Sequence, residues 1–402
     1  MPAIGRGQIR RLMEAASRDK TPMRFIEEFC GAIRDKKIGL NEISIRQIFE
    51  EIIPDGRELV DLWDPRKQGE MVELRAVLEN AGPVVAAALS RVNGQIAYSA
   101  TLEGYQQEDF IFTGMIPTQS TPFDGEKIPG VSGLGDQGQV INEGNPYPYA
   151  GVNEDFIETP STTKRGIITA VTREAVFFDR TAQLVENLRK VGESIGLGQE
   201  KEAIDCLIDE NRTGHRYNRL GRGRVATYGD NSGNHDWDNL QAQNALVDWT
   251  DIDNAEQLLY SILDPNTGEP VVMTGNLKLI CTRGLRATAL RIQRATSVEH
   301  ATPGYATTGN PVVTHSPSPL DSTFEVVTSR QLATRLATDT DWFYGDPTKA
   351  FRYMENWPLA VVQAPTNSHD EFTRDIVMQF KASRRGAYAT VEPRAMVKCT
   401  VS

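Results

Sequence analysis

Hydrophobic positions near the start of the chain recur every three or four residues, which is the spacing of one helix face. The clearest set is Ile45, Ile48, Phe49 and Ile52. Turn-forming residues at positions 54–56 then interrupt the pattern. We therefore predict that residues 1–80 form an N-terminal helical arm or assembly segment. A plain helical hairpin on the side of the core explains the same pattern equally well.

Residues 81–142 combine one apolar helix, predicted from about Val84 to Ala100, with a long irregular connection rich in Gly, Pro, Asn and Asp. Residues 133–138 match the spacing G-x-G-x-x-G. A dinucleotide-binding fingerprint needs a strand before it and a helix opening at its end, and neither flank has such a sequence. We interpret this stretch as a flexible glycine-rich loop.

Residues 143–176 predict a long two-stranded β-hairpin. A segment ending at Thr159 and a β-branched segment from Lys164 to Ala175 flank a break at Pro160. An isolated hairpin of this size is only marginally stable in water. We therefore expect it to lie on its own domain or on another subunit.

A long amphipathic helix is predicted over residues 179–209. Its apolar stripe begins with Leu184, Leu188, Val191 and Ile195 and continues through residues 203–208. Glycines at positions 192, 196 and 198 each weaken a helix by about 1 kcal/mol relative to alanine. Packing against other elements should therefore hold this helix.

Four arginines occupy the polar loop that follows: Arg216, Arg219, Arg222 and Arg224. A loop of this kind is usually solvated, although contact with nucleic acid or with an acidic neighbouring subunit also fits.

From Thr250 the pattern alternates between helix and strand. It predicts a helix over residues 252–263, a turn at 264–268, a strand at 276–281 and a helix at 284–294.

The last hundred residues predict a succession of short strands. The longest alternation runs from Phe372 to Ser383, the period of a half-buried strand. One face of it carries Phe372, Ile376, Met378, Phe380 and Ala382. No catalytic constellation accompanies these strands.

This order of elements, over roughly residues 140–402, resembles the tailed-phage major capsid proteins with the Hong Kong 97-type fold. The resemblance implies an α+β fold with an N-terminal arm, an extended β-hairpin loop, a peripheral domain with a long spine helix, and an axial domain. The corresponding boundaries are 1–80 for the arm, 81–142 for the helix and connection, 143–176 for the extended loop, 177–248 for the peripheral domain, 249–350 for the axial domain, 351–392 for the return strands and 393–402 for a C-terminal strand.

The resemblance also implies a function: hexamers and pentamers of one subunit closing into an icosahedral head around double-stranded DNA. A portal, and scaffold or decoration proteins, are the further partners of such a shell. The subunit would be found in the virion after assembly in the host cytoplasm. On the extended loop, the residues expected to bury against a neighbouring subunit are Tyr147, Tyr149, Phe156 and Ile157.

Composition is compatible with this interpretation. The formal net charge is −11, whereas a protein that grips phosphates is expected to be basic. The hydrophobic fraction of 39% is low, which arms and loops that bury surface only against other subunits would explain and ordinary surface loops would explain equally well. The four cysteines form no C-x-x-C pair and indicate a reducing compartment. The N-terminus lacks a signal core, and the longest apolar run is too short for a bilayer, so no membrane is expected.

Motifs that would indicate catalysis or cofactors are absent from the sequence. The five histidines have no metal-ligand spacing, Ser132 fails the G-x-S-x-G pattern, and no P-loop occurs. We therefore predict no catalytic residue, no metal, no cofactor and no enzymatic activity. In some capsids of this family, a lysine of the extended loop is crosslinked to an asparagine of a neighbouring subunit. Lys164 lies in the corresponding region, but we interpret it as an ordinary exposed charge.

Two alternatives remain open. An encapsulin-like nanocompartment shares the fold and encloses protein cargo. A cytosolic α/β enzyme would use the glycines at 133–138 and the loop at 214–238. A nucleic-acid-binding module is a third and weaker alternative, since the net charge is acidic.

Overall fold

The computed structural model describes residues 22–40, 43–53, 56–63, 78, 83–107, 109–130, 138, 140–143, 146–147, 149, 155–209, 217–232, 235–264, 267–270, 276–302, 312–318, 320, 324–365 and 368–401. The chain divides into two compact units. Unit 1 comprises Met1–Glu108, Lys164–Gly198 and Trp357–Arg385. Unit 2 comprises Asp109–Thr163, Gln199–Asn356 and Gly386–Ser402.

Helices and strands alternate irregularly along the chain. The helices are α1 Pro22–Arg34, α2 Ile45–Ile52, α3 Gly56–Leu62, α4 Pro83–Tyr105, α5 Ile111–Met115, α6 Arg173–Phe177, α7 Thr181–Ile208, α8 Trp249–Ser261, α9 Arg286–Gln293, α10 Leu332–Arg335, α11 Pro347–Ala350 and α12 Ser368–Arg374, with a 3-10 turn at Pro393–Ala395. The strands are β1 Thr118–Ser120, β2 Lys127–Pro129, β3 Phe156–Glu158, β4 Thr163–Thr172, β5 Tyr217–Arg219, β6 Gly223–Val225, β7 Leu240–Gln241, β8 Lys278–Cys281, β9 Ser297–Thr302, β10 Val312–Pro317, β11 Glu325–Thr328, β12 Trp342–Gly345, β13 Phe351–Gln363, β14 Ile376–Thr390 and β15 Met396–Cys399.

The helices of the N-terminal region pack into the core of unit 1. Phe49 and Val60 are fully buried, and the rings of Phe49 and Trp63 meet edge to face at 5.6 Å. The backbone N–H of Ile45 donates to the Thr181 hydroxyl at the start of α7, over 2.8 Å. The described residues between 22 and 63 therefore form helices packed on the core, as in one of the two interpretations of residues 1–80. Residues 1–21 lie outside the described part.

Two glycines bring α4 and α7 into backbone contact. A Cβ atom added to Gly104 would lie 1.9 Å from the carbonyl oxygen of Arg189, and one added to Gly192 would lie 1.9 Å from that of Thr101. Only a residue without a side chain permits such an approach. The predicted long helix is confirmed, and this contact explains why a glycine at position 192 does not prevent it.

A four-stranded sheet has the order β1-β13-β14-β4. The predicted alternation from Phe372 to Ser383 is confirmed only from Ile376 onward, in β14, where Met378, Phe380 and Ala382 are buried. Residues 372–374 belong to helix α12 instead, and Ser383, predicted on the polar face, is buried. Strand β4, at the other end of the sheet from β1, has nearly all of its residues exposed. Its glycine, Gly166, lies against Ala382 and Ser383 of β14.

Unit 2 is built on a five-stranded sheet of order β11-β8-β12-β15-β7. Both faces of this sheet are buried. Trp342 and Tyr344 of β12 belong to the hydrophobic core on one face, and Phe343 belongs to the core on the other face. The predicted helix, turn, strand and helix of residues 252–294 are confirmed as α8, the turn that ends at Gly268, β8 and α9. Helix α8 begins earlier than predicted because Asp248 forms a capping box with Asp251.

A second sheet of unit 2 corrects the predicted hairpin. Strand β3 pairs antiparallel with β2 and with β5, whereas β4 belongs to the sheet of β14. The two segments expected to pair within residues 143–176 therefore lie in different sheets. Alternation indicated that both are strands, but it carries no information about partners.

The division into units cuts across some of the domain boundaries expected from the resemblance. Residues 249–350 fall wholly in unit 2, but residues 177–248 are divided at Gly198 and residues 351–392 contribute to both units. Within the described residues, none of the helices is both long and apolar enough to cross a membrane.

The close approach of α4 and α7 generates a stability prediction. Gly192→Ala should lower the free energy of unfolding by about 1–3 kcal/mol, because its methyl group would overlap the Thr101 carbonyl and force the helices apart. Gly198→Ala is the matched control in the same helix, since nothing lies within 4 Å of its added Cβ. The control should be neutral or stabilise by up to about 1 kcal/mol. Urea unfolding measures both, and equal effects of the two substitutions would contradict the contact.

Candidate assembly surface

Strands β2 and β3 form the base of a long loop over residues 130–155. Ile128 of β2 lies opposite Ile157 of β3, and the N–H of Gly130 donates to the carbonyl oxygen of Asp155 over 2.8 Å. A Cβ atom on Gly130 would lie 2.7 Å from the Asp155 carboxylate. The chain therefore leaves and re-enters the sheet at one point, and this loop is the hairpin connection of the region.

A buried ion network fixes the base of this loop. The Arg219 guanidinium donates through Nε to Asp155 and through Nη1 to Asp236, each over 2.6 Å. The Arg219 side chain is 10% exposed, and both carboxylates are 12% exposed. Arg222 also pairs with Asp236. Because a buried charge is costly unless it is paired, this network holds the end of the loop against β5.

The arginine-rich loop thus has a structural role that the sequence did not indicate. Arg219 is buried in its ion pairs, whereas Arg222 and Arg224 are exposed, and Arg216 lies outside the described residues. Asp155 and Asp236 lie 64 and 17 positions from Arg219 in the sequence. Separations of this kind follow no local pattern, so spacing alone could not reveal the network.

The four predicted interface residues divide into two pairs. Tyr147 is 81% exposed and Tyr149 is fully exposed. Phe156 is half-buried, with the Lys127 ammonium 4.3 Å from its ring centre, and Ile157 is 1% exposed in a core of unit 2. Ile157 corrects the prediction: the side chain is used inside its own chain, because β3 is an inner strand of its sheet.

Val140 extends the exposed apolar character of the loop beyond the predicted residues. Its side chain is 97% exposed, so three large apolar side chains of the loop, Val140, Tyr147 and Tyr149, contact solvent in the single chain. Large apolar side chains that are almost fully exposed are candidates for an interaction site. The glycine fingerprint at 133–138 belongs to the same loop, and of these residues only Gly138 is described.

A comparison with protein families decides the class of this molecule. The family model described as "Phage capsid protein" matches residues 157–399, which is more than half of the chain.

The chain belongs to the phage capsid protein family.

Solved structures of low sequence identity resemble this capsid protein. A chain from Gordonia phage Cozz has 14% identity and a TM-score of 0.39, with 73% of this chain and 86% of that chain covered. The virus-like particle from Pyrococcus furiosus has 13% identity and a TM-score of 0.41, with 76% and 98% covered. The SrpI encapsulin from Synechococcus elongatus PCC 7942 has 12% identity and a TM-score of 0.43, with 73% and 87% covered. These scores are below 0.5, so the assignment rests on the family model. No curated protein matches the sequence.

The predicted family and the α+β class are confirmed. The Hong Kong 97-type fold that the resemblance implied stays a prediction, whereas membership of the phage capsid protein family is shown by the family model.

Burial raises the pKa of several thiol and carboxyl groups of this capsid protein. Burial raises the pKa of the Cys281 and Cys399 thiols to about 12, so both are protonated and unreactive at neutral pH. Burial also raises the pKa of Glu200, although N–H groups of Phe112 and Thr113 donate to its carboxylate over 3.0 and 2.8 Å and oppose the shift. Glu200 thereby holds the start of α5. Among the described residues, no cluster of His, Cys, Asp and Glu is suited to hold a metal ion.

The buried ion network generates a second prediction. Arg219→Met should lower the free energy of unfolding of the capsid protein by about 3–5 kcal/mol, because the Asp155 and Asp236 carboxylates stay buried without their shared cation. Arg224→Met removes an exposed arginine from the same hairpin and should change stability by no more than about 0.5 kcal/mol. Urea unfolding monitored by tryptophan fluorescence compares the two. If the Arg219→Met variant unfolds at the same urea concentration as the natural protein, the network does not stabilise the loop base.

Proposed function

We propose that this protein is the major capsid protein of a tailed double-stranded DNA phage or prophage, and that its copies assemble into the hexamers and pentamers of an icosahedral head. The observation that carries the proposal is the match of residues 157–399 to the phage capsid protein family. The exposed apolar side chains of Val140, Tyr147 and Tyr149 support it, because large exposed apolar groups are common at interaction sites.

The loop over residues 130–155 is proposed as the extended loop that contacts a neighbouring subunit, in place of residues 143–176. Tyr147 and Tyr149 would bury their rings there, and each buried aromatic side chain contributes about 1.5–3 kcal/mol. The ion network at the loop base supports the same role, because a contact surface presented at a fixed point costs less to order on binding.

The proposed head encloses its genome without sequence-specific binding. The net charge of −11 supports a container that does not adhere tightly to DNA. Arg219 is one of the four arginines considered for contact with nucleic acid, and its guanidinium is paired with two carboxylates of its own chain. The proposed role is structural, without catalysis, metal or cofactor.

The remaining proposals follow from membership of a capsid family. Assembly would take place in the host cytoplasm, with a portal and with scaffold or decoration proteins as further partners. Residues 249–350, with the five-stranded sheet of unit 2, are proposed as the axial domain. The N-terminal part of α7 is proposed as the spine helix of the peripheral domain.

Electron microscopy of the expressed protein tests the proposed function. We expect closed shells of uniform size from the natural sequence. The double variant Tyr147→Asp with Tyr149→Asp should keep its unfolding midpoint, because both side chains are exposed, but should fail to form shells. The double variant Tyr147→Phe with Tyr149→Phe keeps both rings and should assemble.

Two results would contradict the proposal. Normal shells from the double aspartate variant would show that the loop is not part of the interface between subunits. A natural chain that stays monomeric or dimeric, even with the portal and scaffold proteins of the same phage, would contradict the proposed capsid function. Shells that contain a protein cargo and no DNA when isolated from the native host would instead identify an encapsulin-like compartment.

A further inference from the structure

Helix α9 and its two flanks concentrate positive charge in an acidic protein. Residues 270–298 have no aspartate or glutamate, in a chain whose net charge is −11. Lys278, before the helix, is paired with Glu325 over 2.7 Å. The other cations of this stretch have no ion pair with a carboxylate among the described residues. They form what we call the basic surface of α9, which comprises Arg283, Arg286, Arg291 and Arg294.

The packing of α9 turns these arginines away from the core. Ala289 and Ile292 are buried in the hydrophobic core beneath the helix. Residues three or four positions apart lie on one helix face, so Arg291 and Arg294 share the opposite face, and both are exposed. Arg283, in the turn that leads into the helix, is exposed as well. The guanidinium groups are therefore presented to solvent together.

The other exposed residues of this surface are small or polar. Ala287, Gln293, Thr296 and Ser297 are exposed, and within the described residues 276–298 no large apolar side chain is exposed. The core of a protein–protein interface is depleted in charged residues and enriched in aromatic ones. A protein–DNA interface is more polar and much more positively charged. The composition of the basic surface therefore matches a polyanion better than another protein surface.

The acidic residues of the neighbouring helix α8 are used within their own chain. Asp248 accepts from the N–H of Thr250 over 2.8 Å, and Asp251 accepts from the N–H groups of Val247 and Asp248 over 2.7 and 2.9 Å. Arg291 reaches the same region but donates to the carbonyl oxygen of Val247, over 3.4 Å, and not to a carboxylate. These carboxylates hold the start of α8, which favours a phosphate over a carboxylate as the partner of the arginines.

We propose that the basic surface of α9 binds the phosphate backbone of double-stranded DNA without reading its sequence. The eight residues of α9 rise by about 12 Å, and a duplex carries one negative charge per about 1.7 Å of its axis, so several phosphates lie within reach of the arginines. Guanidinium groups suit this role because their planar donors match phosphate oxygens. The net charge of −11 keeps the contact weak. The inference rests on the proposed function in one respect, which is that the enclosed genome supplies the phosphates.

The salt dependence of DNA binding by the full-length chain is the first test. Fluorescence anisotropy of a short labelled duplex measures the dissociation constant as the salt concentration is raised. Three phosphate contacts predict a slope of about −3 in a plot of log affinity against log salt, which is a loss of about 60-fold between about 50 and 200 mM. Two duplexes of unrelated sequence should bind with the same affinity.

Substitution of the exposed arginines is the second test. The triple variant Arg283→Gln, Arg291→Gln and Arg294→Gln should lower the affinity at low salt by about tenfold or more and reduce the slope by about 3. The triple variant with lysine at the same three positions keeps the charges and should retain most of the binding. The side chains are exposed, so the unfolding midpoints of both variants should match that of the natural chain.

A matched control removes the same charge elsewhere. The triple variant Arg180→Gln, Arg224→Gln and Arg330→Gln replaces three exposed arginines outside the basic surface of α9. It should bind the duplex with close to the natural affinity and slope. An equal loss of affinity in the control and in the α9 variant would overturn the inference, because net charge and not this surface would then govern binding.

The remaining outcomes separate this inference from the proposed function. A natural chain that forms shells but does not bind the duplex at low salt overturns the inference while the capsid function stands. An α9 glutamine variant that binds DNA normally but fails to form shells also overturns it, and assigns the basic surface to a second copy of the chain. A natural chain that binds DNA through these arginines, but forms no shells with its portal and scaffold present, supports the inference and contradicts the proposed function.

Discussion

The pairing of Arg219 with Asp155 and Asp236 is the interaction on which the base of the 130–155 loop depends. All three side chains are largely shielded from water, so the charges are held by one another and by the short distances between them. Asp155 also closes the loop base through its carbonyl oxygen, which accepts from Gly130. Asp155 therefore connects the base of the 130–155 loop to strand β5 through its carboxylate, and its carbonyl oxygen closes the loop.

Each unit uses a different physical means to bring its elements close together. In unit 1, glycines at positions 104 and 192 remove the side chains that would separate two helices. In unit 2, the sheet is buried on both faces, and Asn239 fastens its surroundings by donating to the carbonyl oxygens of Thr227, Pro393 and Met396. These buried hydrogen bonds hold the backbone segments around the sheet in fixed positions.

Local patterns in the sequence predicted the elements well and their partners poorly. Helix α7 and strand β14 were predictable because their periodicity extends over many residues. Ile157 was misplaced because alternation identifies a strand without identifying the sheet that covers it, and β3 pairs with a strand that lies before the loop. Arg219 looked like a surface charge because its partners are distant in sequence. Tyr147 and Tyr149 are exposed in the single chain, and their burial against a neighbouring subunit stays a prediction.

The position of β15 has a consequence for how unit 2 folds. Met396–Cys399 lies between β12 and β7, so an interior strand of the main sheet pairs with strands that precede it by many residues. Pairing between distant segments is slow, because the entropy of closing the intervening chain is lost before the contact forms. The five-stranded sheet is therefore complete only when residues 396–399 insert between β12 and β7. Until then both of these strands have an unpaired edge that can recruit a strand of another molecule.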